Sequence, residues 1–297
     1  MLITGASGLI GTRLTEMLIE KNCEVAHLSR NSKPGKIKSY AWSVENGTLD
    51  GRALANTDAI IHLAGTGIAE KRWTQKRKQE ILESRTKSTQ LLFDCLHNSN
   101  RQVKTFISAS AIGYYGFRGN EEFTEASKPG SDFLAQVVSQ WEEEVDKIQS
   151  LNIRTVKIRT GIVLSEKGGA LTEMVKPIKW GVGAPLGSGD QYLSWIHIDD
   201  LCRMFLFALE NESMRGAYNG TALEAVTNRQ LTKAIAKTLK KPLWLPHVPA
   251  FVLKVMLGEM ADMVVQGSVV SSEKIRNAGF RLQFPDLDLA LSDLLAR

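Results

Sequence analysis

Seven residues near the start constrain this chain most: Gly5-Ala6-Ser7-Gly8-Leu9-Ile10-Gly11. They read Gly-x-x-Gly-x-x-Gly and follow the apolar run Met1-Leu2-Ile3 through Thr4. Behind them Leu9, Ile10, Leu14, Met17 and Leu18 recur at helical spacing. The order is therefore buried strand, tight glycine turn, amphipathic helix. Such a turn needs residues without Cβ clashes. Glycine also lets the backbone approach a pyrophosphate, and the helix start offers unpaired N–H groups to phosphates. Glycines collect in turns for many reasons, so the flanking strand and helix are what make this a dinucleotide site. Gly5, Ser7, Gly8, Leu9, Ile10 and Gly11 are the expected contacts. The first strand is short enough that a residue or two is expected upstream.

The following segments repeat the same alternation. Glu24–Leu28 reads as a second strand, Asp58–Gly65 as another, and Arg72–Asn98 as a long charged helix. Thr105–Ser110 is a strand, Phe133–Gln149 an amphipathic helix, and Arg154–Leu164 a β-branched-rich strand. Repeated β-α-β order predicts a parallel sheet covered by helices, a doubly wound α/β Rossmann fold. Beyond Leu164, glycines at 168, 169, 181, 183, 187 and 189 punctuate a stretch that reads as irregular. Asp199–Glu210 reads as a helix, and Thr227-Asn228 as the cap of one over Gln230–Leu239. The expected division is a nucleotide-binding domain over 1–164, with 192–222 returning to it. A smaller mixed C-terminal substrate lobe takes 165–191 and 223–297.

Composition narrows the function classes. Apolar residues make up 43% and charged residues 23% of 297, which fits a globular chain rather than a disordered one. No apolar stretch reaches the roughly 18 residues of a membrane span, so no membrane partner is expected. The 37 basic residues are scattered, and the net charge is only +5. That argues against nucleic acid and for a mild preference for anionic small molecules. Cys23, Cys95 and Cys202 have neither CxxC nor metal-ligand spacing, so reduced thiols and no metal are expected. A glycine motif in the first residues leaves no room for a signal peptide, which points to the cytoplasm.

The second strand ends Leu28-Ser29-Arg30-Asn31. An acid there would hold the ribose 2′-hydroxyl of NAD, and none is present. Arg30, beside Ser29, offers a donor fork suited to the 2′-phosphate of NADP, which makes NAD the less favoured cofactor. The alternative is an ordinary loop arginine. Leu63-Ala64-Gly65-Thr66 closes the fourth strand at the same sheet edge and adds contacts. His62, inside an apolar run, reads as a packed core histidine.

These motifs together resemble the extended short-chain dehydrogenase/reductases, also called NAD(P)-dependent epimerase/dehydratases. Thr4-Gly5-x-x-Gly8-x-x-Gly11, Ile61-His62-Leu63-Ala64-Gly65 and Ser108-Ala109-Ser110 with Tyr114-Tyr115-Gly116 carry the resemblance. Gly168-Gly169-Ala170-Leu171, Ser194-Trp195-Ile196-His197-Ile198-Asp199-Asp200 and Ala278-Gly279-Phe280 narrow it. They are similar to a sugar-nucleotide-epimerase-like branch with its own C-terminal domain. The resemblance implies a nucleotide sugar or related carbonyl or hydroxyl compound as substrate. It also implies a serine, and a tyrosine and lysine as Tyr-x-x-x-Lys on one helix, the lysine lowering the tyrosine pKa and holding the ribose.

That dyad is missing. The equivalent helix reads Asp132-Phe133-Leu134-Ala135-Gln136-Val137-Val138-Ser139-Gln140-Trp141-Glu142, with no lysine before Lys147. Tyr114-x-x-x-Arg118 has comparable spacing, but Gly116 and Gly119 oppose a helix there. Ser110 retains the serine position, and Tyr114 or Tyr115 is a candidate proton donor beside water or a substrate group. Trp195 and His197 share one face of a strand, His197 being a candidate acid/base and the pair a candidate cleft wall, or else the strand merely anchors the helix from Asp199. The resemblance also implies a cofactor or substrate contact for Arg85, where relatives place polar residues near the nicotinamide; the other reading is a solvated helix arginine. Arg159, also placed with the cofactor contacts, lies on a buried-type strand and needs a partner, either a substrate phosphate or an internal carboxylate. The helix Phe133–Gln149 is a candidate homodimer surface. Two functions stand: an NADP(H)-dependent oxidoreductase or epimerase-like enzyme, and a catalytically silent NADP-binding sensor or interaction protein.

Overall fold

The computed structural model describes residues 1–32, 35–99, 103–117, 119 and 121–296. Arg118, and with it the Tyr114-x-x-x-Arg118 spacing, lies outside them.

β1 (Leu2–Thr4) runs through the glycine turn into α1 (Leu9–Glu20). β2 (Ala26–Ser29) and β3 (Lys38–Ser43) follow in parallel, and β4 (Thr48–Leu49) returns antiparallel on β3. β5 (Ala59–His62) then pairs with the other side of β1. The turn at Leu63–Thr66 thus follows the fifth strand and not the fourth, because β3 and β4 are half-exposed and carry little apolar signal. α2 (Gln75–His97) leads to β6 (Thr105–Ala111), and short β7 (Glu122–Phe123) precedes α3 (Phe133–Lys147). Thr74 and Asp132 cap the two helices by accepting from Arg77 N and Ala135 N.

The expected strand Arg154–Leu164 is two. β8 (Arg154–Thr160) lies beside β6, and β9 (Ile162–Leu164) leaves the main sheet. Gly161 is the hinge: a Cβ there would stand 2.6 Å from the Ser194 carbonyl oxygen. The stretch read as irregular contains α4 (Ala170–Lys179), which buries Leu171, Val175 and Ile178 at helical spacing despite Pro177. β10 (Tyr192–Leu193) and β11 (Trp195–His197), the latter paired with β9, precede α5 (Ile198–Glu210). β12 (Gly216–Gly220) joins the main sheet beside β8, and β13 (Val226–Thr227) pairs with β10. α6 (Asn228–Thr238) starts in a capping box of Thr227 and Gln230. α7 (Ala250–Leu257), α8 (Asp262–Val265), β14 (Val269–Val270), α9 (Glu273–Asn277) and α10 (Leu287–Leu295) complete the described chain.

The main sheet has the order β12-β8-β6-β5-β1-β2-β3-β4. Its central strands alternate between two cores, as period-two geometry requires. Leu2, Ile60 and Phe106 pack toward α2 and α3, while Ile3, Ile61 and Ile107 pack toward α1 and α5. All six are fully buried, so both faces are covered. On β8, Val156 and Ile158 join the second core, and Lys157 and Arg159 therefore face α3. No helix among the described residues is long and apolar enough to cross a membrane, and no cluster of three metal-ligating groups occurs among them.

Candidate functional site: a phosphate turn beside a buried polar cluster

The strand order reverses between β1 and β5, the crevice where doubly wound sheets take ligands. The glycine turn lies at its mouth. Gly5 has φ +66°, and a Cβ there would sit 2.7 Å from the Leu63 carbonyl, so the turns after β1 and β5 touch. A Cβ on Gly11 would meet the Gly5 carbonyl oxygen, which lets α1 start against the turn. Gly8 precedes α1 with no side-chain cap, and the first turn holds no acid. The opening N–H groups of α1, from Leu9 to Gly11, are thus left to whatever enters the crevice. Ser7 and Gly8 are exposed beside them, and Ile10 is half-buried. An uncapped helix start under a glycine turn fits a diphosphate. Ser29 ends β2 and Arg30 stands exposed after it.

His62 supports this crevice from below. Thr4 Oγ1 accepts from Leu63 N and Ala64 N, both at 3.1 Å, which leaves its own proton for His62 Nδ1 at 2.8 Å. Ser88 and Thr89 hydroxyls meet the other ring nitrogen at 3.3 and 3.2 Å. Burial, then the charge of Arg85, pushes the His62 pKa down to about 3, so the ring is neutral.

The catalytic candidates Ser110 and Tyr115 belong to a buried polar cluster. Arg159 donates from Nε and Nη2 to the two carboxylate oxygens of Glu142, both at 2.8 Å. Ser110 Oγ donates to Glu142 Oε1 at 2.6 Å, and Lys157 Nζ lies 3.3 Å from Glu142 Oε2. Arg159 Nη1 donates to the Tyr115 hydroxyl at 2.9 Å, which donates onward to Asn219 Oδ1 at 2.6 Å. Arg159, grouped with the cofactor contacts on sequence grounds, is thus occupied by an internal carboxylate. Its side chain is 5% exposed, and its donors are directed at Glu142 and Tyr115. Tyr115 is fully buried against Phe123, and burial pushes its pKa up to about 12 despite Arg159. Desolvation opposes the charge of Glu142, yet Arg159 and Lys157 hold its pKa below the usual carboxylate range. Tyr114 is half-buried, with the Arg159 guanidinium carbon 3.5 Å from its ring centre.

On α3, Leu134 and Val138 have the spacing a Tyr-x-x-x-Lys pair would need, and both approach Gly113 in the loop after the serine strand. That face is apolar. A hollow of about 320 Å³ opens at the start of α3, between Trp73 and Phe133 on one side and Asp262 and Gln266 on the other.

Trp195 and His197 do not wall this hollow; each is 1% exposed. His197 caps α5 by accepting from Asp199 N at 3.1 Å, and its ring stacks on Phe284 at 3.8 Å. Burial lowers its pKa against the opposing pull of Asp199, Asp293 and Asp200. Its position is that of an interior cap between the sheet and the C-terminal segment. Arg85 is not a solvated helix residue either. It lies half-buried between Gly65 and Trp141.

Glu142 and Asn219 escaped the sequence reading. The signal for Glu142 was present: two cations on one face of a buried strand need an acid, and Glu142 sits within the apolar stripe of the adjacent helix. Asn219 gave no comparable signal.

The comparisons with known proteins agree with this geometry. The profile of the "NAD dependent epimerase/dehydratase family" matches residues 1–219, and a "Domain of unknown function (DUF1731)" matches 248–294. "Epimerase family protein YfhF" of Bacillus subtilis is 39% identical over 99% of this chain and 97% of its own length. A Staphylococcus aureus epimerase family protein is 35% identical over 100% and 99%. The human epimerase family protein SDR39U1, solved with NADPH, superposes with a TM-score of 0.89 at 30% identity, covering 100% of this chain and 99% of that one. A nucleoside-diphosphate sugar epimerase from Corynebacterium glutamicum gives 0.82 at 30% identity, covering 99% of this chain and 57% of that one. With residues 1–219 matched by the family and a 39% identical member covered almost end to end, the chain belongs to the NAD dependent epimerase/dehydratase family.

Proposed function

We propose that this protein binds NADP(H) at the Gly5–Gly11 turn and exchanges a hydride with a hydroxyl or carbonyl compound bound beside α3. The carrying observation is the uncapped start of α1 at the β1/β5 crevice, with Arg30 at the end of β2 where NAD enzymes need an acid. The likeness to a human protein solved with NADPH supports the same cofactor. A bound nicotinamide supplies the two-electron acceptor or donor. The backbone of Leu9 to Gly11 would hold the diphosphate and Arg30 the 2′-phosphate, with the turn Leu63–Thr66 flanking the glycine turn. The hollow beside Trp73 and Phe133 offers aromatic faces for a sugar ring, and a nucleotide sugar is the substrate class that the bacterial epimerase suggests. Leu134 and Val138 cannot move a proton, and the Tyr115 phenol is fixed between Arg159 and Asn219. Tyr114 and water remain as proton sources.

The test is a fluorescence titration with NADPH and NADH. Arg30→Ala is expected to weaken NADPH by roughly ten- to a hundred-fold, the worth of a charge-assisted bond, and to leave NADH unchanged. Equal losses for both would remove Arg30 from this role. The apolar Leu134–Val138 face favours a second reading, a nucleotide-binding sensor without turnover. NADPH that binds tightly yet stays unoxidised against sugars, ketones and aldehydes would support the sensor.

A further inference from the structure

α7 is apolar on every side and buries only one of its residues. All of Ala250–Leu257 except Lys254 is apolar, yet Leu253 alone is buried. A helix of that composition is ordinarily enclosed. Phe251 and Val255, four residues apart, lie opposite Leu253 and project outward. Nine large apolar side chains stand open among the described residues, and six of them, Trp180, Val182, Trp244, Phe251, Val255 and Met256, fall in two segments. One is the end of α4 with its following loop, and the other leads into and through α7. They run side by side: Leu186 and Val248 form a parallel bridge, with Gly187 N donating to the Val248 carbonyl oxygen at 2.9 Å and Val248 N to that of Pro185 at 2.8 Å.

The charge here has one sign. No Asp or Glu occurs between Glu224 and Glu259, whereas Arg229 and five lysines do. Lys237 is paired with Asp288 and Arg229 with Asp190. Lys240, Lys241 and Lys254 stand exposed, flanking Trp244 and Phe251 in the chain, and Lys179 stands exposed beside Trp180. A two-fold contact between copies of this surface would set these cations against each other. The apolar side chains other than Val182 are 61–79% exposed, so they protrude and do not line a groove. Protruding aliphatic and aromatic groups, with tryptophans and lysines around them, fit the boundary of an anionic bilayer.

We propose that this surface, α7 with the loops carrying Trp180 and Trp244, docks the protein on an anionic lipid bilayer. Phe251, Val255 and Met256 enter the acyl boundary, the tryptophans sit at headgroup level, and Lys240, Lys241 and Lys254 meet the lipid phosphates. Such docking needs no spanning helix, so the span length that argued against a membrane partner does not bear on it. α7 runs directly into Glu259 at the edge of the hollow beside Trp73, so docking holds that hollow close to the headgroups.

The test is co-sedimentation of the full chain with vesicles of phosphatidylcholine alone and with vesicles that also contain phosphatidylglycerol. Binding is expected to the mixed vesicles only, and to fall as salt is raised. Phe251→Ser combined with Val255→Ser should weaken it roughly tenfold or more. Lys240→Gln combined with Lys241→Gln should weaken it roughly tenfold. Ile19→Ser, at an exposed position on α1 outside this surface, should leave it within twofold. All the altered side chains are exposed, so the variants should keep the melting point of the unaltered protein. No sedimentation with the mixed vesicles overturns the proposal, as does equal binding to both vesicle types or binding that neither pair of substitutions weakens. A dimer in analytical ultracentrifugation that the Phe251–Val255 pair abolishes, without vesicle binding, overturns it too and gives the surface to a second copy of the chain.

Discussion

Glu142 receives Arg159 through two hydrogen bonds, Ser110 through a third, and Lys157 through an ion pair. All four side chains are buried, so removing this acid strands the Arg159 guanidinium and leaves Lys157 with Asp146 alone. Glu142→Ala is expected to cost about 3–5 kcal/mol, read as a lowered urea midpoint. A loss below about 1 kcal/mol would mean that Asp146, 2.7 Å from Lys157, compensates locally. His62 makes a separate prediction about acid. Its folded pKa of about 3 lies below the ordinary value near 6.5, so between these the unfolded chain binds the extra proton. Stability from this group is complete above about pH 6.5 and is lost as pH falls toward 3, on the order of 5 kcal/mol in all. His62→Gln should flatten the fall of the urea midpoint over that window. An unchanged slope would show that other groups set it.

At the scale of the element, the β1 turn and α1 test the sterics directly. A Cβ on Gly11 collides with the Gly5 carbonyl and the Ala6 backbone, whereas on Gly8 it meets only Gly5 O, at 3.3 Å. Gly11→Ala is expected to destabilise by about 1–3 kcal/mol, while Gly8→Ala stays within about 1 kcal/mol. Thermal unfolding compares them, and equal melting points would contradict the close approach. This turn was legible because its glycines, apolar strand and helical spacing are all local. So were α2 and α3, whose capping residues and stripes are written in consecutive residues. β3 and β4 were not, because both are half-exposed with little apolar alternation, and β4 is only two residues long. α4 was hidden by flanking glycines and by Pro177. Trp195 and His197 share a strand face as the alternation required, but only the tertiary fold shows that this face meets Phe284 and not a cleft. The apolar face of α3 is likewise filled within the chain, leaving Gln136, Gln140 and Glu143 outward.

Across the whole molecule, a few polar contacts tie the C-terminal segment to the sheet. Arg72, after β5, donates to the Val255 and Met256 carbonyl oxygens at the end of α7, at 2.8 and 3.0 Å. Lys78 pairs with Glu259 nearby. Both contacts flank the hollow beside Trp73, so they hold its far wall in place. Because Arg72 is exposed, Arg72→Ala should cost less than about 1 kcal/mol overall. It should nevertheless speed amide hydrogen exchange in α7 and leave β5, β6 and β8 unchanged. Faster exchange throughout the sheet would show that the contact supports the global fold instead. Asp200, fully buried, makes the deeper tie by accepting from Gln283 N and Phe284 N at 2.8 Å.

The central claim is that the β1–α1 turn receives a dinucleotide diphosphate, and a crystal structure grown with saturating NADPH tests it most directly. The expected result is the diphosphate against the backbone N–H groups of Leu9 to Gly11, with the 2′-phosphate beside Arg30. Nucleotide bound elsewhere, or a turn that remains empty under those conditions, would contradict it.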